Sequence, residues 1–130
     1  MNAPVGIVLV SHSAELVGGL RELVEQIGSS TVPLAVAGGT DDGRIGTSYD
    51  LVLAAIGRAD RGGGVVVLPD LGSSVLTART VLEDHPRADV LIVDAPFVEG
   101  AVAAVVTAAT GADLAAVADA AKEARHVAKL

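Results

Sequence analysis

Apolar side chains follow two rhythms along this chain, and the changes between them mark its elements. Val5 to Val10 is an almost unbroken apolar run, rich in β-branched residues and too short for a buried helix. Such a run predicts a strand covered on both faces, as in a parallel sheet. The rhythm then lengthens: Leu16, Val17, Leu20, Leu23, Val24 and Ile27 share one face of a helix. Gly28 follows where a left-handed carboxyl-terminal cap belongs. Between strand and helix lies the polar triplet Ser11–His12–Ser13.

The same alternation continues. Val32 to Ala37 predicts a second strand, with Pro33 near its start where a missing donor is tolerated. Gly38 to Thr47 has no apolar period and holds four glycines, a loop of the length that carries function. Thr47 or Ser48 can cap a second helix with the apolar side Leu51, Val52, Ala55, Ile56, Ala59. Arg61 to Gly64 breaks it, and Val65–Leu68 forms a third buried strand that runs into Pro69–Asp70–Leu71–Gly72–Ser73–Ser74. Ser73 or Ser74 can cap a third helix through Leu82. After Pro86 come a fourth strand, Val90–Val93, and two Ala-rich helices, Val98–Ala109 and Asp113 to about His126, the latter capped by Asp113.

Strands alternating with helices, joined by right-handed crossovers, predict an α/β fold: a doubly wound, mainly parallel four-stranded sheet with helices on both faces. In the common order 2-1-3-4 the winding reverses between the first and third strands, and the crevice there is the expected ligand site. Two segments end those strands: Ser11–His12–Ser13 and Asp70 to Ser74.

Composition narrows the function. Apolar residues make up 51% of the 130, aromatics 2%, so the core has to be Ala, Val, Leu and Ile. One domain spanning 1–130 fits this length. A net charge of −7 argues against nucleic acid or an anionic membrane and for a cationic protein partner. Without cysteine there is no disulfide, thiol nucleophile or thiolate metal site. No apolar run approaches the roughly 20 residues of a membrane span, and no signal-like amino terminus is seen. The expectation is a cytoplasmic protein.

The candidate chemistry centres on His12. It lies on the turn from a buried strand into a helix, whose amino terminus favours an anion. Asp70, accepting from one imidazole nitrogen, would fix the tautomer and leave the other nitrogen nucleophilic. Ser13, Gly72, Ser73 and Ser74 offer donors for a phosphoryl group at helix starts, and Gly39 and Thr40 add donors from the neighbouring loop. Asp70 also reads as an Asx-turn residue, the serines as ordinary caps, and the glycine loop as a flexible connection. A Ser–His–Asp triad lacks its Gly-x-Ser-x-Gly elbow, and neither nucleotide-binding glycine motif is present. His85 and His126 sit apart from His12, which disfavours a metal cluster.

IVLVSHSAELVGGL, the Gly38–Gly39–Thr40 loop, LPDLGSS and DAPFVEGAVAA, in this order over nearly the whole chain, resemble the mannose-type enzyme IIA family of the bacterial phosphotransferase system. Within it they resemble the phosphotransferase-subunit branch of phosphoenolpyruvate-dependent dihydroxyacetone kinase. The resemblance implies that His12 carries the phosphoryl group and Asp70 orients it. It further implies a homodimer, with HPr as donor and ADP on the nucleotide-binding kinase subunit as acceptor. No permanently bound cofactor or metal is expected, only a covalent phosphohistidine intermediate. Some relatives carry fused HPr-like and enzyme I-like domains, absent here, so an external donor is expected. Sugar-transporting relatives continue into a further domain and exchange a carboxyl-terminal strand, whereas this chain ends in an Ala-rich helix. The rival expectations are a sugar-specific enzyme IIA and a non-catalytic regulatory domain read in its phosphorylated state.

Overall fold

The computed structural model describes residues 3–130. Four strands, β1 (Gly6–Ser11), β2 (Leu34–Gly38), β3 (Val65–Pro69) and β4 (Val90–Ile92), alternate with α1 (Ala14–Ile27), α2 (Tyr49–Ala59) and α3 (Gly72–Asp84). After β4 come α4 (Phe97–Ala109), α5 (Leu114–Glu123) and a terminal 3₁₀ turn, Ala124–His126. The strands form one sheet in the order β2-β1-β3-β4, and every pairing is parallel.

Period-two alternation explains the two-sided core. Ile7, Leu9, Val66 and Leu68 point to one face, where Val17, Leu20 and Val24 of α1, Val105 of α4 and Val117 of α5 cover them. Val8, Val10, Val65 and Val67 point to the other, against Val52, Ala55 and Ile56 of α2 and Ala78 and Val81 of α3. These side chains are almost wholly buried, and burying each larger aliphatic one stabilises the fold by about 1.5–3 kcal/mol. Small Ala and Val on the helices let the layers approach closely, which is how a core nearly free of aromatics fills its space.

The structure departs from the sequence expectation at several ends. β2 starts at Leu34, because Pro33 has no N–H for the ladder, although its carbonyl accepts from Ile7 at 2.9 Å. β4 is three residues long, and Val93 still donates to Val67 O at 2.9 Å. Gly28 is not left-handed: its φ is −100°, and its N–H closes α1 on Val24 O. A Cβ there would stand 2.7 Å from Val24 O and 3.0 Å from Val105 Cγ1, so a carbonyl of α1 itself, with α4 close behind it, is what asks for glycine. The third helix is capped by neither serine; it begins at Gly72, with Leu71 at the cap position and no side-chain cap. Ser48, by contrast, does cap α2, and Asp113 caps α5.

The α1 stripe is only partly buried. Val17, Leu20 and Val24 face the sheet, while Leu16, Leu23 and Ile27 are exposed. Leu23 and Ile27 meet Val98, Val102, Val106 and Val127 in an apolar groove of about 510 Å³. No described helix is long and apolar enough to cross a membrane.

Candidate functional site at the carboxyl edge of the sheet

The register builds the site. Ser11 and Gly38 are paired across β1 and β2, and Val10 and Pro69 across β1 and β3. Asp70 N–H continues that ladder by donating to Val10 O at 2.9 Å, which seats Asp70 beside Ser11 and His12. Residues 58 or more positions apart in the chain thus become neighbours at the point where the winding reverses.

His12 is held by its backbone and its ring. Its N–H donates to Asp70 Oδ2 at 3.0 Å, and its carbonyl accepts from Gly46 N–H at 2.9 Å. Nδ1 lies 2.9 Å from Asp70 Oδ1 and 3.2 Å from Ser74 Oγ. A carboxylate only accepts, so the ring proton belongs on Nδ1 and the lone pair on Nε2. On that side Nε2 meets the hydroxyl of exposed Ser73. The imidazole side chain is 20% exposed, the Asp70 side chain 8%.

Asp70 receives donors on both oxygens. Oδ1 accepts from Ser74 Oγ (2.7 Å), Leu71 N–H (2.7 Å) and His12 Nδ1–H; Oδ2 accepts from Ser11 Oγ (2.9 Å) and His12 N–H. Burial pushes its carboxyl pKa upward. The hydrogen bonds from Ser74, from His12 through backbone and ring, and from Ser11 outweigh that and hold it at about 2. The group is ionised throughout the neutral range and keeps an imidazole anchored.

His12, Asp70, Ser73 and Ser74 therefore meet, while the other expected donors do something else. Ser13 caps α1, its hydroxyl accepting from Leu16 N–H at 3.2 Å and its own N–H donating to Ser11 Oγ at 3.1 Å. Thr40 is turned into its own loop: its hydroxyl contacts Asp42 and accepts from Arg44 N–H at 3.0 Å. Gly39, at φ +73°, donates to Ser11 O, and a Cβ there would stand 2.7 Å from Arg44 O. It shapes the loop that buttresses the strand end. Gly72 opens α3, whose uncapped start leaves the first amide N–H groups open to an anion. His85 ends α3 and His126 lies in the terminal turn.

In the sequence Ser11 reads as one of the polar triplet between strand and helix. It is instead fully buried, its hydroxyl bonded to Asp70. The available signal was a serine closing an apolar strand, one position before the histidine, with an aspartate ending the paired strand.

A histidine fixed by an aspartate at a helix start is an arrangement chemically suited to accepting a phosphoryl group. The family described as PTS system fructose IIA component (EIIA-man) matches residues 6–118, and the chain belongs to it. It is 38% identical over 103 residues to the phosphoryl donor subunit DhaM of PEP-dependent dihydroxyacetone kinase 1 from Listeria innocua, covering 79% of this chain and 81% of that one. The phosphotransferase subunit DhaM of the PTS-dependent dihydroxyacetone kinase of Lactococcus lactis is 34% identical, with 86% and 89% covered. The Escherichia coli DhaM subunit is 41% identical over 116 residues, and there the match spans 85% of this chain but 25% of the relative. The crystal structure of a protein of unknown function, EF1359, superposes with a TM-score of 0.78 at 32% identity and covers 95% of both chains.

Proposed function

We propose that this protein is a cytoplasmic phosphohistidine relay. It takes a phosphoryl group from HPr on His12 and passes it to ADP held on the nucleotide-binding subunit of a kinase that phosphorylates dihydroxyacetone. The observation that carries this reading is the orientation of His12: Nδ1 anchored on an ionised Asp70 at 2.9 Å, Nε2 on the outer side. The names of the relatives, phosphoryl donor subunits of dihydroxyacetone kinases, supply the acceptor system.

The chemistry follows from that orientation. The Nε2 lone pair attacks phosphorus, a P–Nε2 bond forms, and the bond from phosphorus to the donor breaks with its electron pair leaving on the donor. Imidazole gains positive charge, which the Asp70 carboxylate facing Nδ1–H stabilises. Ser73 turns aside as the phosphoryl group arrives, and its hydroxyl and the first amides of α3 face the new charge. In the second step a β-phosphate oxygen of ADP attacks the same phosphorus, and the P–Nε2 electron pair returns to the ring. In this reading the only group carried between the two steps is the covalent phosphoryl group on His12.

A partly exposed imidazole on a short turn, with Nε2 on its outer side, suits a group that two partners must approach in succession. The acidic balance of the chain suits a basic donor surface. A homodimer belongs to the same reading, supported by the apolar groove between α1 and α4. Light scattering at micromolar concentration tests it, a monomer removing that part alone.

Reconstitution with phosphoenolpyruvate, enzyme I, HPr and both kinase subunits tests the relay by the appearance of dihydroxyacetone phosphate. A phosphorylated His12 that never discharges to the ADP-bearing subunit would sink the relay and leave a sugar-specific or regulatory role.

A further inference from the structure

Only two polar side chains are fully buried among the described residues, Ser11 and Ser74, and both lie against the same carboxylate. They come from different elements. Ser11 closes β1; Ser74 sits in the first turn of α3. Ser11 Oγ donates to Asp70 Oδ2 at 2.9 Å and accepts from Ser13 N–H at 3.1 Å, so one hydroxyl ties the carboxylate to the turn that carries His12. Ser74 Oγ donates to Asp70 Oδ1 at 2.7 Å and lies 3.2 Å from His12 Nδ1.

We propose that Ser11 and Ser74 are positioning residues: a pair of buried hydroxyls that clamp one oxygen each of Asp70 and so hold the His12 ring with its proton on Nδ1 and its lone pair on Nε2. The function this serves rests on the relay reading; the clamp itself is a property of the resting protein.

The physical reason is rotational. A carboxylate anchored at one oxygen can turn about its last bond and offer the imidazole a poorer angle. Here each oxygen already accepts one backbone N–H, Leu71 on Oδ1 and His12 on Oδ2, and the two hydroxyls add a second restraint to each, one from a strand and one from a helix, which narrows that rotation further. A buried hydroxyl also has no water to replace its partner, so both serines are committed to the contact. Neither touches the phosphoryl group, because both lie on the Nδ1 side and are shielded from solvent. In this respect they differ from Ser73, which is exposed and meets Nε2. Two adjacent serines that look alike in the sequence thus serve opposite sides of one ring.

The test uses the intact, unphosphorylated protein and its Ser11→Ala and Ser74→Ala variants. Nitrogen-15 NMR of the His12 ring reads the tautomer, carbon-13 NMR of Asp70 reads the carboxyl titration, and rapid-quench uptake from phosphorylated HPr reads the transfer. Each variant is expected to give a mixed tautomer population and an Asp70 carboxyl that titrates above about 2. Transfer should slow about tenfold, the order seen when an outer partner of a reacting group is lost, with the KM for HPr unchanged. An unchanged tautomer and an unchanged carboxyl titration overturn the proposal even where transfer slows, since a general loss of stability moves neither. If one variant does not fold, as judged by circular dichroism, the other still decides, because the two hydroxyls sit on different elements. Wild-type protein that takes no phosphate from HPr would instead remove the relay reading and leave the NMR criteria standing.

Discussion

The two edges of the sheet each gather charged side chains, and they do so differently. At the carboxyl edge Asp70 is held by neutral donors and one imidazole, and that imidazole keeps a second nitrogen on the outer side. At the other end of the strands Arg87 lies between Asp60 and Asp89, with Nη2 2.8 Å from each and Nε 3.0 Å from Asp89. There every charge is met. The hydrogen bond from Gly62 N–H and the Arg87 guanidinium hold Asp60 below the usual carboxylate range, and Arg87 does the same for Asp89. Both clusters favour ionised carboxylates, but only one presents a nucleophilic lone pair, on Nε2, met by the hydroxyl of an exposed serine. A closed ion cluster ties a helix end to a strand start; an open one can do chemistry.

The largest expected effect separates the two. His12→Ala should abolish uptake of the single acid-labile phosphate in a mixture of phosphoenolpyruvate, enzyme I and HPr, followed by intact mass. Uptake at another residue would show that the open cluster is not the site. Asp70→Ala should leave the phosphate on His12 but slow its arrival about a hundredfold, as for loss of a residue that orients a reacting ligand. A normal rate would reduce Asp70 to a turn residue.

Acid stability comes next. The Asp70 carboxyl is lowered from 3.8 to about 2 in the folded protein. The folded state therefore binds this proton less readily than the unfolded chain, and the stabilisation is present in full above the unfolded pKa near 4. It amounts to about 2 kcal/mol and is lost as pH falls from about 4 through about 2. Urea midpoints across that range should fall more steeply in wild type than in Asp70→Asn; parallel curves would show that the carboxylate network contributes no linkage.

The smallest effect is at the closed cluster. Arg87→Met should cost at most about 1 kcal/mol, less in high salt, because the three side chains are partly exposed. Phosphate uptake should be unchanged. A variant that folds normally but takes up phosphate slowly would break the division between the two edges.

The local sequence by itself determined the elements, the sheet order expected from them, and the meeting of His12 with Asp70. Buried strands, amphipathic helices and their breakers carry their signals within a few residues, and right-handed crossovers leave few topologies open. Tertiary structure alone decided what each polar side chain near that meeting does. Ser73 and Ser74 are adjacent and chemically identical, yet the first turn of α3 leaves one exposed opposite Nε2 and seats the other beneath the ring on Asp70. Ser11, one of a polar triplet in the sequence, is a buried donor because the β1–β3 register brings Asp70 beside it. Half of the apolar stripe of α1 stayed exposed for a similar reason: the sheet accepts only Val17, Leu20 and Val24, and Leu23 and Ile27 turn to α4 instead. Periodicity reports that a residue is apolar or polar at a given angle; which neighbour meets it depends on contacts dozens of residues away in the chain.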